Sequence, residues 1–240
     1  MAATQAGSER LSTADATVFG LIDVDASRWM YRLLRLIVFP VMRMLFRIEI
    51  EGRANVPAAG PFVVAANHLG WLDAPLLVLG FPLVPRINFV ADATFVSEST
   101  WRWFVGRLMG GVLPLVTHGH GLPPASRVIQ ACLAGGGSVG FFPEGRYGES
   151  EDQVLRFHRG FAKAAIEAGV PVVPVRVSGT KDVWLRKRVR VAIGTPIEAT
   201  GQTADGLAAV THDRIAGMAP VRSVDAGPRL FRRLLTRLFP

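Results

Sequence analysis

The segment 62–75 constrains the fold more than any other stretch of the chain, because an apolar run ends there in polar and glycine residues. The five small or apolar residues 62–66 predict one short buried strand. His68 follows this strand, and Asp73, with Pro75 two residues later, is typical of the start of a helix. On one continuous helix the two side chains would point about 140° away from each other, but they can meet across a strand–turn–helix corner. A histidine oriented by a carboxylate is suited to general-base chemistry at neutral pH, so we predict that His68 and Asp73 form such a pair.

Strand and helix patterns alternate along the chain, which predicts an α/β fold with a mostly parallel central sheet flanked by helices. In such sheets, ligands bind at the carboxyl ends of the strands. The predicted strands are 62–66, 87–91, 112–116, 139–142, 172–177 and 189–193, and the predicted helices are 73–79, 99–109, 126–134 and 160–168.

A second apolar run, 139–142, ends in Pro143, Glu144, Gly145 and Arg146. Gly145 allows the backbone to approach a ligand closely, and the planar guanidinium group of Arg146 suits a phosphate. The alternative is a tight loop with a surface ion pair. Because two strands of one α/β domain each end in such a corner, we interpret the two corners as functional and not as accidental.

The composition narrows the class of protein. The chain has 240 residues, which suits one domain with appendages, and its net charge of +8 suits an anionic partner. The single Cys132 excludes an internal disulfide framework. We expect neither a signal peptide nor a spanning helix, because no stretch has the basic and apolar regions of the first or the roughly 18 charge-free apolar residues of the second.

Both ends of the chain carry basic amphipathic segments. In residues 28–48, five arginines fall within about 120° of one another on a helical wheel, opposite an apolar arc, with Pro40 as an expected kink or break. The last dozen residues repeat this design with four arginines. We therefore predict an interfacial helix on an anionic membrane surface, the alternative being an amphipathic helix packed on the core. The chain shows no zinc-finger, RNP or helix-turn-helix signature, so no nucleic-acid partner is expected. The arginines are Arg28, Arg32, Arg35, Arg43 and Arg47, and then Arg229, Arg232, Arg233 and Arg237.

Several blocks, taken in order, resemble the glycerolipid acyltransferases of the 1-acylglycerol-3-phosphate acyltransferase type. The resemblance covers about residues 48–198 and implies transfer of a fatty acyl group from a thioester of coenzyme A or acyl-carrier protein to the hydroxyl of a lysophospholipid. The main blocks are Asn67-His68-x-x-Trp71-Leu72-Asp73, Phe142-Pro143-Glu144-Gly145-Arg146, Arg159-Gly160 and Val170-Pro171-Val172-Val173-Pro174-Val175.

The resemblance also implies a role for each matching residue. His68 would deprotonate the acceptor hydroxyl, and Asp73 would hold the imidazole. A thiolate leaves without a strong acid, so no metal and no cofactor beyond the acyl-CoA or acyl-carrier-protein co-substrate is expected. The predicted acceptor-binding residues are Glu144, Gly145 and Arg146, with Arg159 and Arg86 as further candidates for anionic groups.

The chain departs from the family pattern at three places. Gly70 stands where the family commonly has Ser or Thr, and the usual Glu-Gly-Thr-Arg-Ser is here Glu-Gly-Arg-Tyr-Gly over residues 144–148. The segment 116–120, Val-Thr-His-Gly-His, lacks an arginine that the family often places after this strand. The acceptor is therefore left open between 1-acylglycerol-3-phosphate and another polar lipid.

Four other interpretations are considered. Asp73 as a mere helix cap with His68 as a polar strand end needs no chemistry. The segment 136–140 matches the Gly-x-Ser-x-Gly elbow of serine hydrolases, but that motif needs a strand before it and a helix after it, the reverse of the predicted order. A non-catalytic membrane-binding relative is disfavoured by the intact histidine and aspartate. A metallohydrolase would draw its ligands from His118, His120, His158, Asp73 and Glu144, of which the first two form only a weak His-x-His pattern.

The predicted organisation has four parts. Residues 1–27 are a loosely ordered N-terminus, 28–48 the interfacial helix region, 49–200 the acyltransferase domain and 201–240 an extension with a basic amphipathic end. We expect the protein at the cytoplasmic face of a membrane, bound peripherally.

Overall fold

A computed structural model of the chain describes residues 28–92, 112–115, 125–221 and 228–238. The predicted helix 99–109, the N-terminal residues 1–27 and the segment 116–120 lie outside these ranges. The described helices are α1 (Arg28–Leu45), α2 (Asp73–Gly80), α3 (Ala125–Ala134), α4 (Gly160–Ala168), α5 (Ala204–Ala216) and α6 (Arg232–Leu238). The described strands are β1 (Arg47–Glu51), β2 (Val63–Ala66), β3 (Ile87–Asp92), β4 (Val112–Leu115), β5 (Ser138–Phe141), β6 (Val172–Ser178) and β7 (Arg188–Ile193).

In the described part of the chain, seven strands form one sheet in the order β1-β7-β6-β2-β5-β3-β4. Only the contact between β6 and β7 is antiparallel; the other neighbouring strands run parallel. The predicted α/β fold with a mostly parallel sheet is therefore confirmed. The carboxyl ends of β2, β5 and β6 consequently lie side by side at one edge of the sheet, which we call the carboxyl edge.

Helices cover both faces of this sheet. All four residues of β2 are fully buried, with Val63 and Ala65 in the core under α3, α4 and α5, and Val64 and Ala66 in the core under α1 and α2. A strand buried on both faces has no need for polar alternation, which explains its uninterrupted apolar run.

The structure adds two elements that the sequence analysis missed. Residues 47–51 form strand β1, so the predicted helix 28–48 is too long and ends at Leu45. The alternation of charged and apolar residues in this segment, Arg-Ile-Glu-Ile-Glu, is the period of a strand and was visible in the sequence. Helix α5 was also missed, although Thr203 caps it by accepting a hydrogen bond from the Gly206 N–H.

Helix α1 presents one apolar face to the core and a second to solvent. Met42 is buried, and Val38 and Phe39 pack against the same core. The helix continues through Pro40, so the expected break is absent. Within the described residues, no helix is both long enough and apolar enough to cross a membrane. The exposed stripe, with 46% to 73% of each side chain accessible, consists of Leu33, Leu36, Ile37, Val41 and Met44.

Candidate active site

Asn67 directly follows strand β2 and fixes the position of the residue after it. Its side-chain amide donates to the Val177 carbonyl at 2.9 Å, and its side-chain oxygen accepts from the Val177 N–H at 2.7 Å. The buried side-chain amide of Asn67 thus makes the two hydrogen bonds to Val177 of β6 that the backbone of a neighbouring strand would otherwise make. The chain leaves the sheet here, so His68 lies at the carboxyl edge, as predicted.

Asp73 is the most densely hydrogen-bonded carboxylate at this edge. One of its oxygens, Oδ2, accepts from His68 Nδ1 at 2.8 Å and from the backbone N–H groups of Leu69 and Gly70 at 2.6 and 2.9 Å. Its other oxygen, Oδ1, accepts from the hydroxyl of Thr180 at 2.5 Å. Asp73 is fully buried and binds the loop before α2, while the N-cap position belongs to Leu72 and has no side-chain cap bond. The carboxylate therefore orients the histidine and is not a helix cap.

The imidazole of His68 is held between two aromatic rings. The Phe142 ring stacks on it with centroids 3.8 Å apart and planes 11° apart, and the Tyr147 ring meets it edge-on at 4.4 Å. Its side chain is 19% exposed. With the Nδ1–H donated to Asp73, Nε2 is the nitrogen that can accept a proton. The ring is thus fixed in orientation and accessible, as a general base requires.

The loop 142–148 brings the second predicted corner against the first. The Gly148 N–H donates to the His68 carbonyl at 2.6 Å, next to the aromatic contacts of Phe142 and Tyr147. Gly145 turns the loop with a φ of 68°, in the left-handed region that favours glycine. A Cβ at this position would come within 3.2 Å of the His158 ring. The two corners therefore form one site.

Glu144 is a buried carboxyl in this loop, only 4% exposed. Its Oε1 accepts from the Leu155 N–H at 3.3 Å, whereas its buried Oε2 has no hydrogen-bond partner within the described ranges. Burial raises the pKa of Glu144 to about 7, and the nearby negative charge of Asp73 acts in the same direction. At neutral pH this carboxyl is partly protonated, so it can donate a hydrogen bond as well as accept one.

The three predicted arginines lie in different surroundings. Arg146 is exposed beside Glu144 in the corner loop. The exposed guanidinium group of Arg159, the residue before α4, pairs with the exposed Asp205 of α5 at 3.2 Å. Arg86 precedes β3, and its carbonyl accepts from the N–H of Ser138, the first residue of β5. Arg86 thus lies at the amino edge of the sheet, roughly 20 Å from His68 at about 3.3 Å per strand residue, so its predicted place in the acceptor site is wrong.

Sequence reasoning missed Thr180 and the segment around it. The Glu151 carboxylate accepts from the N–H groups of Gly179 and Lys181 at 2.7 and 3.1 Å, and Lys181 Nζ donates to the Gly148 carbonyl at 2.6 Å. The segment after β6 therefore ties the corner loop to Asp73. The available signal was the Ser-Gly-Thr sequence 178–180, which puts small polar residues at the end of a strand.

Arg176 on β6 binds the chain just after the corner loop, at Glu151. It is 2% exposed and donates to the carbonyls of Ile215, Ala216 and Met218 at the end of α5 and to the carbonyl of Glu151. One buried guanidinium group thereby joins Glu151, three residues after the corner loop, to the C-terminal end of a helix, where a positive charge is favourable.

Two alternative interpretations are addressed by the structure. Ser138 is fully buried at the start of β5, and its hydroxyl accepts from the Phe62 N–H at 3.2 Å, so the serine-hydrolase elbow is wrong. For the metal alternative, His118 and His120 lie outside the described residues. Among the residues that are described, no cluster of three His, Cys, Asp or Glu side chains is placed to hold a metal ion.

An apolar cavity of about 380 Å³ lies beside the corner, between α3 and α4. It reaches the loop that carries Glu144, because Pro143 and Gly145 form part of its wall. Phe142, which stacks on His68, is shared between the cavity and the histidine. The other apolar walls include Ile129, Phe141 and Phe161.

Comparison with known proteins identifies the family to which the chain is similar. A model of the Acyltransferase family matches residues 47–178. The chain is 28% identical over 195 residues to the human 1-acyl-sn-glycerol-3-phosphate acyltransferase alpha, covering 77% of this chain and 66% of that protein. It is 33% identical over 187 residues to the chloroplastic 1-acyl-sn-glycerol-3-phosphate acyltransferase of Arabidopsis thaliana, covering 71% of this chain and 49% of that protein. The chain thus spans less than two thirds of the length of these curated relatives.

Among solved structures, the fold matches that of the 1-acyl-sn-glycerophosphate (LPA) acyltransferase PlsC of Thermotoga maritima. The TM-score is 0.63 at 23% sequence identity, covering 85% of this chain and 84% of that one.

Proposed function

The chain belongs to the Acyltransferase family, and from this premise we propose that it transfers a fatty acyl group from a thioester to the hydroxyl of a lysophospholipid. The observation that carries the proposal is the 2.8 Å contact between His68 Nδ1 and Asp73 Oδ2. The family model confirms the family resemblance found in the sequence, while the acyl donor, the acceptor and the role of each residue belong to this proposal.

In the proposed reaction, Nε2 of His68 takes the proton of the acceptor hydroxyl as its oxygen attacks the thioester carbonyl. The C–O bond forms, the tetrahedral intermediate collapses, and the C–S bond breaks. The leaving thiolate then takes the proton back from the imidazolium group. Asp73 holds the imidazole and stabilises the imidazolium, and four donors satisfy its two oxygens.

The acceptor is proposed to lie against the loop 142–148. Arg146 supplies an exposed positive charge for a phosphate, and Glu144, with its pKa of about 7 caused mainly by burial, supplies a carboxyl that can donate to an oxygen. The names of the human and Arabidopsis relatives support 1-acylglycerol-3-phosphate as acceptor. The altered order of residues 145–148 supports testing other polar lipids alongside it.

The acyl chain is proposed to enter the apolar cavity between α3 and α4. Its walls are mainly carbon, and Phe142 brings it within one ring thickness of His68. The exposed stripe of α1 is proposed to hold the enzyme peripherally on the cytoplasmic face of a membrane, where both the acceptor and the acyl chain are found.

The direct test measures thiol release by the purified full-length protein on lipid vesicles. Acyl-CoA and acyl-carrier-protein donors are each combined with 1-acylglycerol-3-phosphate and with other lysophospholipids. We expect His68→Ala to lower turnover by about 10²–10⁴-fold in protein that is still folded, as judged by its urea unfolding. His212→Ala is the matched control, since it removes a histidine that also contacts an aspartate, Asp213, on the surface of α5. Equal turnover by His68→Ala and the unaltered protein would contradict the assigned base.

The same assay distinguishes the non-catalytic alternative. If the protein still binds vesicles but no pair of donor and acceptor gives thiol release, a membrane-binding relative without acyltransferase activity would be favoured.

A further inference from the structure

The C-terminal segment 228–238 exposes large apolar side chains among arginines. Leu230, Phe231 and Leu234 are 54%, 61% and 56% exposed. Arg229, Arg232, Arg233 and Arg237 line an open depression of about 800 Å³ on the same segment. The proposed acyl transfer uses none of these side chains. We call this group of residues the C-terminal surface.

The C-terminal surface is built onto the domain by specific contacts. Leu235 is 5% exposed and shares a core cluster with Met42 and Phe46 at the end of α1. The guanidinium group of Arg232 forms a two-pronged contact with Asp182, at 2.5 and 3.3 Å, and the hydroxyl of Thr236 donates to the Val183 carbonyl. These contacts hold one side of α6 against the domain, so its other side faces outward in a defined orientation.

Phe231 shows that the exposure is costly. Its φ of 57° is in the left-handed region, which costs a residue with a Cβ roughly 1–2 kcal/mol. The ring gains little packing in return, because most of it is in solvent. A binding partner that covers the Phe231 ring would offset the cost of this backbone conformation.

The charge of the C-terminal surface selects an anionic partner. Four arginines and one aspartate line the depression, which leaves an excess of three positive charges. Asp182 is already engaged by Arg232, so it does not neutralise the remaining guanidinium groups. Anionic lipid headgroups attract such residues by about 1 kcal/mol each.

The C-terminal surface adjoins the end of α1. The segment 183–187 lies between them: the Leu185 N–H donates to the Leu230 carbonyl at 2.9 Å, and the Arg186 N–H donates to the Leu45 carbonyl at 2.6 Å. The guanidinium group of Arg186 also donates to the Arg43 carbonyl. Segment 183–187 therefore joins the end of α1, next to the exposed Met44, to Leu230 of the C-terminal surface.

We propose that the C-terminal surface is a second membrane contact, which binds anionic phospholipid headgroups through its arginines and inserts Phe231 and Leu234 among them. Nucleic acid would also match the positive charge, but it offers no apolar layer to cover Leu230, Phe231 and Leu234. The proposal concerns binding alone, so it stands or falls independently of acyl transfer.

The test is co-sedimentation of the full-length protein with two kinds of vesicle, phosphatidylcholine alone and phosphatidylcholine with phosphatidylglycerol. We expect the double variant Arg233→Gln, Arg237→Gln to bind the anionic vesicles about 10–30-fold more weakly, and to bind neutral vesicles unchanged. The matched control is Arg127→Gln, Arg214→Gln, which removes the same charge from exposed positions on α3 and α5 at the other face of the sheet.

A second variant isolates the apolar contribution. Asn tolerates the left-handed backbone, so Phe231→Asn removes the ring while keeping the turn. It should weaken binding to both kinds of vesicle. Unchanged vesicle binding by both the arginine and the Phe231 variants would overturn the proposal. Binding of duplex DNA that the arginine variant abolishes, without any loss of vesicle binding, would replace it with a nucleic-acid surface.

Discussion

The Thr180 hydroxyl donates a 2.5 Å hydrogen bond to Oδ1 of Asp73, across 107 residues of sequence. The other carboxylate oxygen of Asp73 accepts from His68 and from two backbone N–H groups. Within the described residues, Thr180 is thus the side chain that binds the carboxylate oxygen of Asp73 not used by His68. It fixes the rotation of Asp73 and, through it, the plane of His68.

Replacement of Thr180 by valine tests this positioning role, since valine keeps the shape and removes the hydroxyl. One oxygen of a buried carboxylate loses its partner, so we expect about 1–3 kcal/mol less stability in urea unfolding. We also expect kcat to fall about 10-fold with little change in KM. Thr180→Ser should restore both values, because the serine hydroxyl can occupy the same place. A Thr180→Ser variant as impaired as Thr180→Val would show that packing, and not the hydrogen bond, is what matters.

Asp73→Asn tests whether the carboxylate sets the tautomer of His68. The amide cannot be an acceptor at all the positions where Asp73 now accepts, and it carries no charge to stabilise an imidazolium. We expect kcat to fall by about 10²–10⁴-fold in the thiol-release assay, while vesicle binding stays unchanged. A loss of less than threefold, roughly the scatter of such assays, would mean that Asp73 has only a structural role.

Glu144→Gln tests the buried carboxyl through the pH dependence of stability. Burial raises the pKa of Glu144 from 4.5 to about 7 in the folded protein, so folding favours the protonated form. The unaltered protein therefore loses stability from this group as the pH rises from 4.5 towards 7, and the loss is complete above pH 7. Glutamine cannot ionise, so the variant should be more stable than the unaltered protein by about 1–3 kcal/mol at pH 8, and about equally stable near pH 4.5. Urea unfolding at the two pH values measures this difference; a constant offset at both would contradict the raised pKa.

Leu36→Glu, Ile37→Glu tests the exposed stripe of α1. These side chains are 73% and 57% exposed, so the substitution should leave folding intact while placing two charges in the membrane interface. We expect vesicle binding to fall at least 10-fold, on neutral as well as anionic vesicles. Val210→Glu is the control, because Val210 is 44% exposed on α5, away from the stripe. Equal losses for Val210→Glu and the α1 variant would point to a general effect of added negative charge.

Local sequence patterns predicted the corner and most of the described elements, whereas β1 and α5 were missed. The apolar runs predict β2 and β5 within one residue of their observed starts, and the polar residues after them predict the edge at which the site forms. His68 and Asp73 meet because five residues span a single turn between a strand and a helix. The prediction of Arg86 in the acceptor site could have been avoided from the sequence alone. Arg86 precedes a predicted strand and therefore lies at its amino end, whereas the site lies at the carboxyl ends of the strands.

Tertiary contacts could not be predicted in the same way. Thr180 reaches Asp73 only because β6 lies next to β2, a strand order that no local pattern specifies. The faces of α1 were also ambiguous, since apolar residues occur on two sides of the helix. Met42 faces the core and Met44 faces solvent because of where the sheet and segment 183–187 lie.

The segment 179–187 has a fixed span as a consequence of its contacts. It touches Asp73 through Thr180 near its start, and it holds Arg232 and Thr236 of the C-terminal helix through Asp182 and Val183 a few residues later. Inserting or deleting even one residue here would shift the Asp73 carboxylate relative to the C-terminal helix. Most surface loops tolerate a change in length, but we expect that this segment does not.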